Sequence, residues 1–426
     1  MTTAVRRGRY RRPISSLASH NLAVADRSAS VGAARRDPAG ASADPAGQVR
    51  AAASLDAAEF FAGMGLVGLA LAASGCRVAY ANDIDPIKQR IYAANFDGVL
   101  FQREDIANVS GAQVPTVQLA TASFPCTDLS LAGARRGLAG SQSGMFWEFA
   151  RVLGEMGGRA PHTVLVENVP GFASSRGGAD LSAALGRLGE LGYWCDMVVV
   201  NARHFVAQSR PRLFIIASKS RVHEAPDWAP SELRPHWMRR FASEHPELRL
   251  QTRALHLPHG EPPSLRTIVQ RLPPQHPRWW DSDRVAIFKM QLAPLHARRL
   301  EALRTSSEVN WATAYRRTRD GSPRWEIRAD QISGCLRTAR GGSSKQALVE
   351  AGAGELRIRW MTPTEYGRLQ GVPDDFQLGQ VSDNQALFAY GDAVCVPVVS
   401  WLLNEYVVPL TTGALRSGVD AATQAP

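Results

Sequence analysis

The sequence has few cysteines and no long apolar run. Its five cysteines are scattered and form no Cys-x-x-Cys pair, so neither a disulfide framework nor a zinc site is expected. No stretch of about 18 uninterrupted apolar residues occurs, which argues against a membrane span. The basic N-terminus is not followed by the apolar segment and cleavage site of a secretory signal. We therefore expect a cytoplasmic protein that uses no metal and no membrane.

Positive charge is abundant but unevenly placed. The formal net charge is +10, and residues 1–50 hold nine arginines and three aspartates, which is +6 of that total. A polyanionic partner is one interpretation of this charge. A solvated basic tail explains it equally well, because the same segment is rich in Ala, Ser and Gly and lacks apolar periodicity.

Short apolar runs of strand type alternate with helical patterns from Ala57 to Ser218. This alternation predicts an α/β fold with a Rossmann-like, doubly wound, mostly parallel sheet. Residues 221–330 carry six of the ten tryptophans, many prolines and few recognisable elements, which indicates an inserted, irregular domain. The predicted organisation is a disordered basic arm (1–53), a catalytic and cofactor-binding domain (54–220), a target-recognition domain (221–357), C-terminal helices returning to the catalytic domain (358–410) and a disordered tail (411–426).

Gly63, Gly65 and Gly68 form a Gly-x-Gly-x-x-Gly pattern between the first predicted strand and helix. Glycines at such a turn let the backbone bend sharply and approach a cofactor closely. Asp83 ends the second strand, about 20 residues further on, where an acid can bind a ribose hydroxyl. The pattern fits a dinucleotide or S-adenosylmethionine, and a tight turn without any ligand also produces it.

Reactive side chains follow several of the predicted strands. Cys126 and Glu167 follow apolar strands whose carboxyl ends share one edge of a parallel sheet, and the pair Arg210 and Arg212 precedes the strand LFIIAS. A cysteine there can act as a nucleophile and a carboxyl group as an acid, while arginines can hold a phosphate or a carbonyl oxygen. Each residue also has a structural interpretation: an inert core cysteine, a strand-end acid, or charges that protect a strand edge.

The ordered set of motifs resembles the cytosine-5 DNA methyltransferase family. The matching segments are EFFAGMGL, ANDID, FPCTDLS, GSQSGMFWEFARVL, ENVPGF, QSRPR, RTARGGSSK, TPTEYGRLQGVPDDF and YGDAVCVPVV. They lie within residues 57–220 and 335–408, and the unmatched region between them is where the family's recognition domain is expected to vary. The resemblance implies the S-adenosylmethionine-dependent methyltransferase fold and methylation of C5 of cytosine in a specific double-stranded DNA sequence.

The resemblance also assigns catalytic roles. Cys126 would attack C6 of cytosine, Glu167 would protonate or hydrogen-bond N3, and Arg212 together with Arg210 would steady the cytosine carbonyl. Because C5 lies inside a stacked duplex, the base would be flipped out into the pocket. The loop 127–142 would then close over it as a lid.

For the cofactor, the resemblance implies S-adenosyl-L-methionine, with S-adenosyl-L-homocysteine as the product. The cofactor-binding residues it predicts are Phe61, Ala62, Gly63, Gly65, Asp83, Ile84, Asp105, Ile106, Pro125, Asp392 and Val394. Three positions depart from the family pattern. Glu59 stands where an aspartate is usual, Leu66 where a second glycine is common, and Asp392 where an asparagine is common.

Three other functions are alternatives to this one. An NAD-dependent oxidoreductase would explain only the glycine pattern and Asp83. A tRNA cytosine-5 methyltransferase uses the same scaffold, but the Cys-Phe-Thr element of that branch is absent from residues 221–330. A DNA-binding protein with an inactive site conflicts with the presence of Cys126, Glu167 and Arg212. We expect a monomer, and a cognate restriction endonuclease, as in restriction-modification systems, is compatible with the family.

Overall fold

A computed structural model describes residues 54–125, 144–222, 226–261, 263–319, 321–337 and 345–414. The predicted N-terminal arm, Cys126 and the predicted lid 127–142 lie outside these residues, as does the chain from residue 415. The two residues Thr411 and Thr412 complete a helix, so regular structure extends a little past the predicted end of the C-terminal helices at residue 410.

A seven-stranded sheet forms the centre of the described chain, with the spatial order β3-β2-β1-β4-β5-β7-β6. Neighbouring strands pair in parallel except β7, which is antiparallel to both β5 and β6. The predicted doubly wound, mostly parallel sheet is thereby confirmed. Its strands are β1 Leu55–Phe60, β2 Cys76–Asn82, β3 Leu100–Gln102, β4 Leu119–Ala122, β5 Thr163–Asn168, β6 Trp194–Asn201 and β7 Pro211–Ser218.

Helices cover both faces of this sheet, as the buried character of a parallel sheet requires. Adjacent residues of β1 enter different core clusters, Ala57 on one face and Ala58 on the other. The helices of the first half of the chain are α1 Leu66–Ala73, α2 Pro86–Asn95, α3 Met145–Met156, α4 Gly171–Ser174 and α5 Ala179–Glu190. In this set α1 packs on the Ala57 face, and α3 and α5 pack on the Ala58 face.

Between residues 221 and 310 the structure contains four helices that the sequence did not reveal. They are α6 His236–Glu244, α7 Leu265–Ile268, α8 Ser282–Met290 and α9 Pro294–Thr305. A four-stranded antiparallel sheet follows, in the order β11-β10-β8-β9. Its strands are β8 Asn310–Arg319, β9 Ser322–Ile327, β10 Ala347–Gly352 and β11 Glu355–Trp360.

One face of this smaller sheet has its own core. Trp280 contacts Phe288, Trp325 and Trp360, with ring centroids 5.2–6.0 Å apart. Aromatic side chains bury large areas, so this cluster accounts for the tryptophan richness of the region. The inserted, irregular region predicted from the sequence is therefore an ordered sheet and helix layer over the residues described.

The chain then returns to the large sheet through α10 Pro363–Leu369, α11 Asp383–Asp392, α12 Val396–Leu402, a π-helical turn Leu403–Val407 and α13 Val408–Thr412. The Thr362 side chain accepts a hydrogen bond from the amide of Glu365, and the Glu365 side chain accepts one from the amide of Thr362. This capping box makes Thr362 the N-cap of α10. The segment Asp383–Thr412 is long and apolar enough to cross a membrane by length and composition alone, but 67 % of its apolar window is buried inside the protein.

Candidate active site

The glycine loop after β1 is held directly to the end of β2. The Gly63 amide donates a 2.8 Å hydrogen bond to the Asp83 carboxylate, whose other oxygen accepts from the Asp85 amide. The backbone φ angles of Phe61, Gly63 and Gly65 are all positive, between +55° and +91°. A positive φ is costly for a phenylalanine, and such strain concentrates at functional sites. The loop and the predicted ribose-binding acid are thus brought together.

Gly65 leaves no room for a side chain. A Cβ atom at this position would lie 2.4 Å from Cε2 of Phe96 and 3.0 Å from the ring of Tyr92, and the φ angle there is +91°. These two rings stack on each other with centroids 4.6 Å apart. The second glycine of the loop is therefore required by both backbone conformation and packing.

We expect Gly65→Ala to lower the free energy of unfolding by about 2–4 kcal/mol, because backbone strain and overpacking act together. S-adenosylmethionine binding should weaken with it. Urea unfolding and calorimetric titration with S-adenosylmethionine measure the two effects. Gly75→Ala is the matched control, since Gly75 has a φ of +75° but no atom within 4 Å of an added Cβ. Equal losses in the two variants would contradict the packing argument.

Three other predicted cofactor residues, Ile84, Asp105 and Ile106, follow the strands β2 and β3 next to Asp83. Ile84 is a large apolar side chain that is 62 % exposed beside Asp83, which suits stacking against an adenine ring. The Asp105 carboxylate caps the 3-10 turn Ile106–Asn108, and Ile106 itself is buried. The Asn82 side chain donates to the Gln102 and Glu104 carbonyls, which holds this turn near the end of β2.

Asp392, Val394 and Pro125 complete the predicted cofactor set. The Asp392 carboxylate accepts a 3.0 Å salt bridge from Lys88 on α2, which joins the end of α11 to the Asp83 side of the sheet. Val394 is buried and lines a small cavity beside Glu167 rather than the glycine loop. Pro125 is exposed. The strained glycine loop, the exposed Ile84 and the acids beside them fit S-adenosylmethionine.

Glu59, one of the departures from the family pattern, is fully buried under the glycine loop. Its carboxyl group accepts hydrogen bonds from the Gly68 amide (3.2 Å) and the Tyr92 hydroxyl (3.0 Å). Burial raises the pKa of the Glu59 carboxyl to about 8, although these two hydrogen bonds lower it. The longer glutamate therefore ties α1 to α2 as a neutral group near pH 7.

Because the folded chain holds this proton up to about pH 8 and the unfolded chain releases it near 4.5, stability falls as the pH rises between these values. The slope is about 1.4 kcal/mol per pH unit. We expect Glu59→Gln, which mimics the protonated form, to show a flatter profile. Urea unfolding at several pH values tests this, with the exposed Glu261→Gln as control. Parallel profiles for wild type and Glu59→Gln would show that Glu59 does not titrate as described.

Glu167 and Arg212 form an ion pair at the carboxyl edge of the large sheet. Glu167 is near the end of β5, and Arg212 is near the start of the antiparallel β7, so both side chains reach the same edge. Arg212 Nε lies 2.9 Å from Glu167 Oε1, and both side chains are largely buried. The structure thus brings together two of the predicted catalytic residues.

Asn168 links this edge to the segment that precedes Cys126. Its Nδ2 atom donates a 3.1 Å hydrogen bond to the backbone carbonyl of Phe124, and its Oδ1 atom accepts from the Val169 amide. Phe124 is buried against Phe146 and Phe172. Phe124 therefore lies beside the end of β5 that carries Glu167.

Arg210 is placed differently from Arg212. Its guanidinium donates to the carbonyl oxygens of Leu336 (2.9 Å), Gly391 (3.3 Å) and Ala393 (2.6 Å). The side chain is buried, and it also contacts the thiol of Cys335 at 3.4 Å. Arg210 therefore joins segments that are distant in the sequence, and its contacts with protein backbone favour a positioning role over direct contact with a base.

The sequence motifs did not predict a role for three residues at this edge. Asn168 holds the Phe124 carbonyl, and Gln208 bonds the Leu369 carbonyl and the Leu336 amide. Cys335 lies between Arg210 and Arg212. Burial alone would raise the pKa of its thiol, but the positive charges of these two arginines and of Arg337 have the larger effect, so the pKa is lowered. Asn168 and Gln208 stand inside recognised motifs, whereas nothing local in the sequence distinguishes Cys335.

Within the described part of the chain, no three His, Cys, Asp or Glu side chains cluster as metal ligands would.

Comparison with known proteins adds independent findings. Residues 55–407 match the family model of the C-5 cytosine-specific DNA methylases. The chain is 27 % identical over 350 residues to the Type II methyltransferase M.NlaX of Neisseria lactamica, covering 80 % of this chain and 92 % of that protein. It is 31 % identical over 163 residues to the Type II methyltransferase M.HhaI of Haemophilus parahaemolyticus, covering 38 % of this chain and about half (48 %) of that protein.

Among solved structures, the S. pombe Dnmt2 methyltransferase superposes with a TM-score of 0.55 at 18 % sequence identity. The superposition covers 84 % of this chain and 99 % of that one. At this identity the likeness concerns the fold alone.

Proposed function

The chain belongs to the C-5 cytosine-specific DNA methylase family, whose model matches residues 55–407, and on that premise we propose that it methylates C5 of cytosine in a specific double-stranded DNA sequence. The proposed methyl donor is S-adenosylmethionine. When bound, this cofactor supplies an electrophilic methyl group. The glycine loop, Asp83 and Ile84 are the residues that would hold it.

The observation that carries the proposal is the hydrogen bond from Asn168 to the Phe124 carbonyl. It fixes the chain two residues before Cys126 at the strand end that carries Glu167. Arg212 is already paired to Glu167 there at 2.9 Å. We propose that Cys126 joins this carboxyl group and this guanidinium at the edge of the sheet, where ligands bind in open α/β folds.

In the proposed reaction, the Cys126 thiolate adds to C6 of a flipped-out cytosine, and the C5–C6 π electrons move into the ring. Glu167 protonates or hydrogen-bonds N3 as negative charge develops there. Arg212 orients Glu167 and steadies the cytosine carbonyl, while Arg210 holds the surrounding segments. C5 would then take the methyl group as its bond to the sulfonium sulfur breaks, which would leave S-adenosylhomocysteine as the product. A base removes the C5 proton, and the Cys126 thiolate leaves by β-elimination, which regenerates the nucleophile.

The chemistry of cytosine and the burial of the Glu167–Arg212 pair support the proposed mechanism. C5 of cytosine is a weak nucleophile until C6 carries the thiolate, so covalent catalysis divides one difficult step into easier ones. The Glu167–Arg212 pair is largely buried, which strengthens its electrostatic effect on a bound base. We further propose a monomeric cytoplasmic enzyme whose second sheet belongs to the recognition domain, and a cognate restriction endonuclease as its partner in the cell.

The test is a methyl-transfer assay with labelled S-adenosylmethionine on duplex DNA and on tRNA. We expect label in duplex DNA, recovered as 5-methylcytosine. Methyl transfer to tRNA but not to duplex DNA would show that the protein is a tRNA cytosine-5 methyltransferase instead. Binding of NAD in place of S-adenosylmethionine would overturn the proposed function altogether.

A further inference from the structure

The β8–β9 hairpin extends well past the rest of the smaller sheet. β10 pairs with β8 only as far as Ala347 opposite Ala314, whereas β8 and β9 remain paired out to Arg319 opposite Ser322. We call the outer halves of these strands, residues 315–319 and 322–326, the arm. Five residues of strand project about 16 Å. Among the described residues, the arm is therefore a two-stranded ribbon without a third strand beside it.

One face of the arm is rich in arginine. Side chains alternate along a strand, so Arg317 and Arg319 share a face with Arg324, which stands directly opposite Arg317. Like charges directly opposite each other destabilise a ladder. Glu326, near the base of the arm, binds Arg319 at 2.7 Å but lies 3.8 Å from Arg317. Arg324 is exposed, so the face keeps an excess of positive charge.

This face is turned toward the large-sheet side of the molecule. Thr313 lies on the same face, two residues before Tyr315, and stands opposite Leu348. Leu348 belongs to the core shared with α1 and α12, and Trp311 on this face packs against that core. The other face carries Ala314 and Trp325, which join the separate tryptophan core.

The arm also leaves the small sheet at the end where the chain connects to the large one. β10 begins and β11 ends there, because Ala347 pairs with Trp360. The next residues, Gln346 and Met361, are hydrogen-bonded to each other, and the Gln346 amide bonds the Tyr366 hydroxyl of α10. The arm therefore leaves the small sheet at the end that connects to α10, and its arginine face is the one on the large-sheet side.

We propose that the arginine face of the arm binds the phosphate backbone of duplex DNA while its target cytosine is in the active site. Guanidinium groups bind phosphate oxygens through paired, charge-assisted hydrogen bonds. A two-stranded ribbon is also of the size that B-DNA grooves accept. The bound phosphates would offset the repulsion between Arg317 and Arg324. This inference rests on the proposed function, since it takes DNA as the substrate.

The experiment is the salt dependence of DNA binding by the Arg317→Gln, Arg324→Gln double variant, on a duplex fragment that the wild-type protein methylates. We expect the slope of log K against log salt to become shallower by about 1.8, because each phosphate contact contributes about 0.9. Affinity at moderate salt should fall at least about tenfold. The methylated sequence, the rate at saturating DNA and S-adenosylmethionine binding should stay unchanged.

The matched control is Arg239→Gln with Arg298→Gln, which removes two charges from exposed positions on α6 and α9. It should leave the slope at the wild-type value. An arm variant with the wild-type slope and affinity would overturn the proposal and leave the arginines as protective charges on an edge strand. A double variant that methylates a different DNA sequence from wild type would overturn it as well, because the two arginines would then contact bases rather than phosphates. Wild-type protein that binds no duplex DNA would instead overturn the proposed function, and the arm with it.

Discussion

Cys126→Ser should lower the rate of DNA methylation at least about 10³-fold while S-adenosylmethionine and DNA binding persist. The serine hydroxyl is nearly isosteric with the thiol, but it is not ionised near neutral pH and is a far weaker nucleophile toward C6. The loss should appear in kcat rather than in KM, because the thiolate acts in the chemical step. Single-turnover methyl transfer to duplex DNA measures it.

Cys76→Ser is the control for this substitution. Cys76 is buried at the start of β2, and burial raises the pKa of its thiol to about 11, so it is an inert core cysteine. The same chemical change there should cost some stability but leave methylation near the wild-type rate. A Cys126→Ser protein that methylates as fast as wild type would refute the covalent mechanism.

Glu167→Gln should lower kcat by about 10²- to 10⁴-fold, the range that general acid–base groups contribute. The amide keeps the shape of the carboxyl group, but it cannot give a proton to N3 and cannot hold the charge of Arg212, now 2.9 Å away. The KM for DNA should change little, because the interaction develops as the ring accepts electrons. Steady-state and single-turnover kinetics together separate the two parameters.

A similar ion pair elsewhere provides the comparison for Glu167→Gln. Glu350 pairs with Arg357 at 3.2 Å and is also mostly covered, but it lies on β10 away from the large sheet's carboxyl edge. Glu350→Gln removes a salt bridge without touching the proposed chemistry, so its kcat should match wild type. If the two variants lose activity equally, the role of Glu167 is structural rather than catalytic.

The fold followed from the sequence where local pattern decides the structure. Alternating apolar periodicity predicts the parallel strands, and Pro86, a residue type favoured at the start of a helix, stands in the first turn of α2 after the capping Asp85. The antiparallel direction of β7 was not predicted, because strand direction depends on a connection through tertiary space. The sequence did not predict the helices between residues 221 and 310, because their arginines, tryptophans and prolines obscure the helical period. The core of this region forms by packing around Trp280 and Trp325, which a helical period does not reveal.

The candidate site could likewise be predicted only in part. Glu167, Asp83 and the glycine loop could be placed on one edge, since the ends of parallel strands meet there. The surroundings of Arg210 could not be predicted, because its partners at Leu336 and Ala393 are 126 and 183 residues away in sequence. The arm was hidden for a related reason: only the strand register shows that Arg317, Arg319 and Arg324 share a face.

Bisulfite sequencing of DNA from cells that express the protein tests the central claim most directly. It reports modification at C5 of cytosine and shows the sequence around each modified base. We predict that one short sequence recurs around the protected cytosines, and that protection disappears in cells that express Cys126→Ser. DNA without protected cytosines, from cells in which the wild-type protein is folded and abundant, would contradict the assignment.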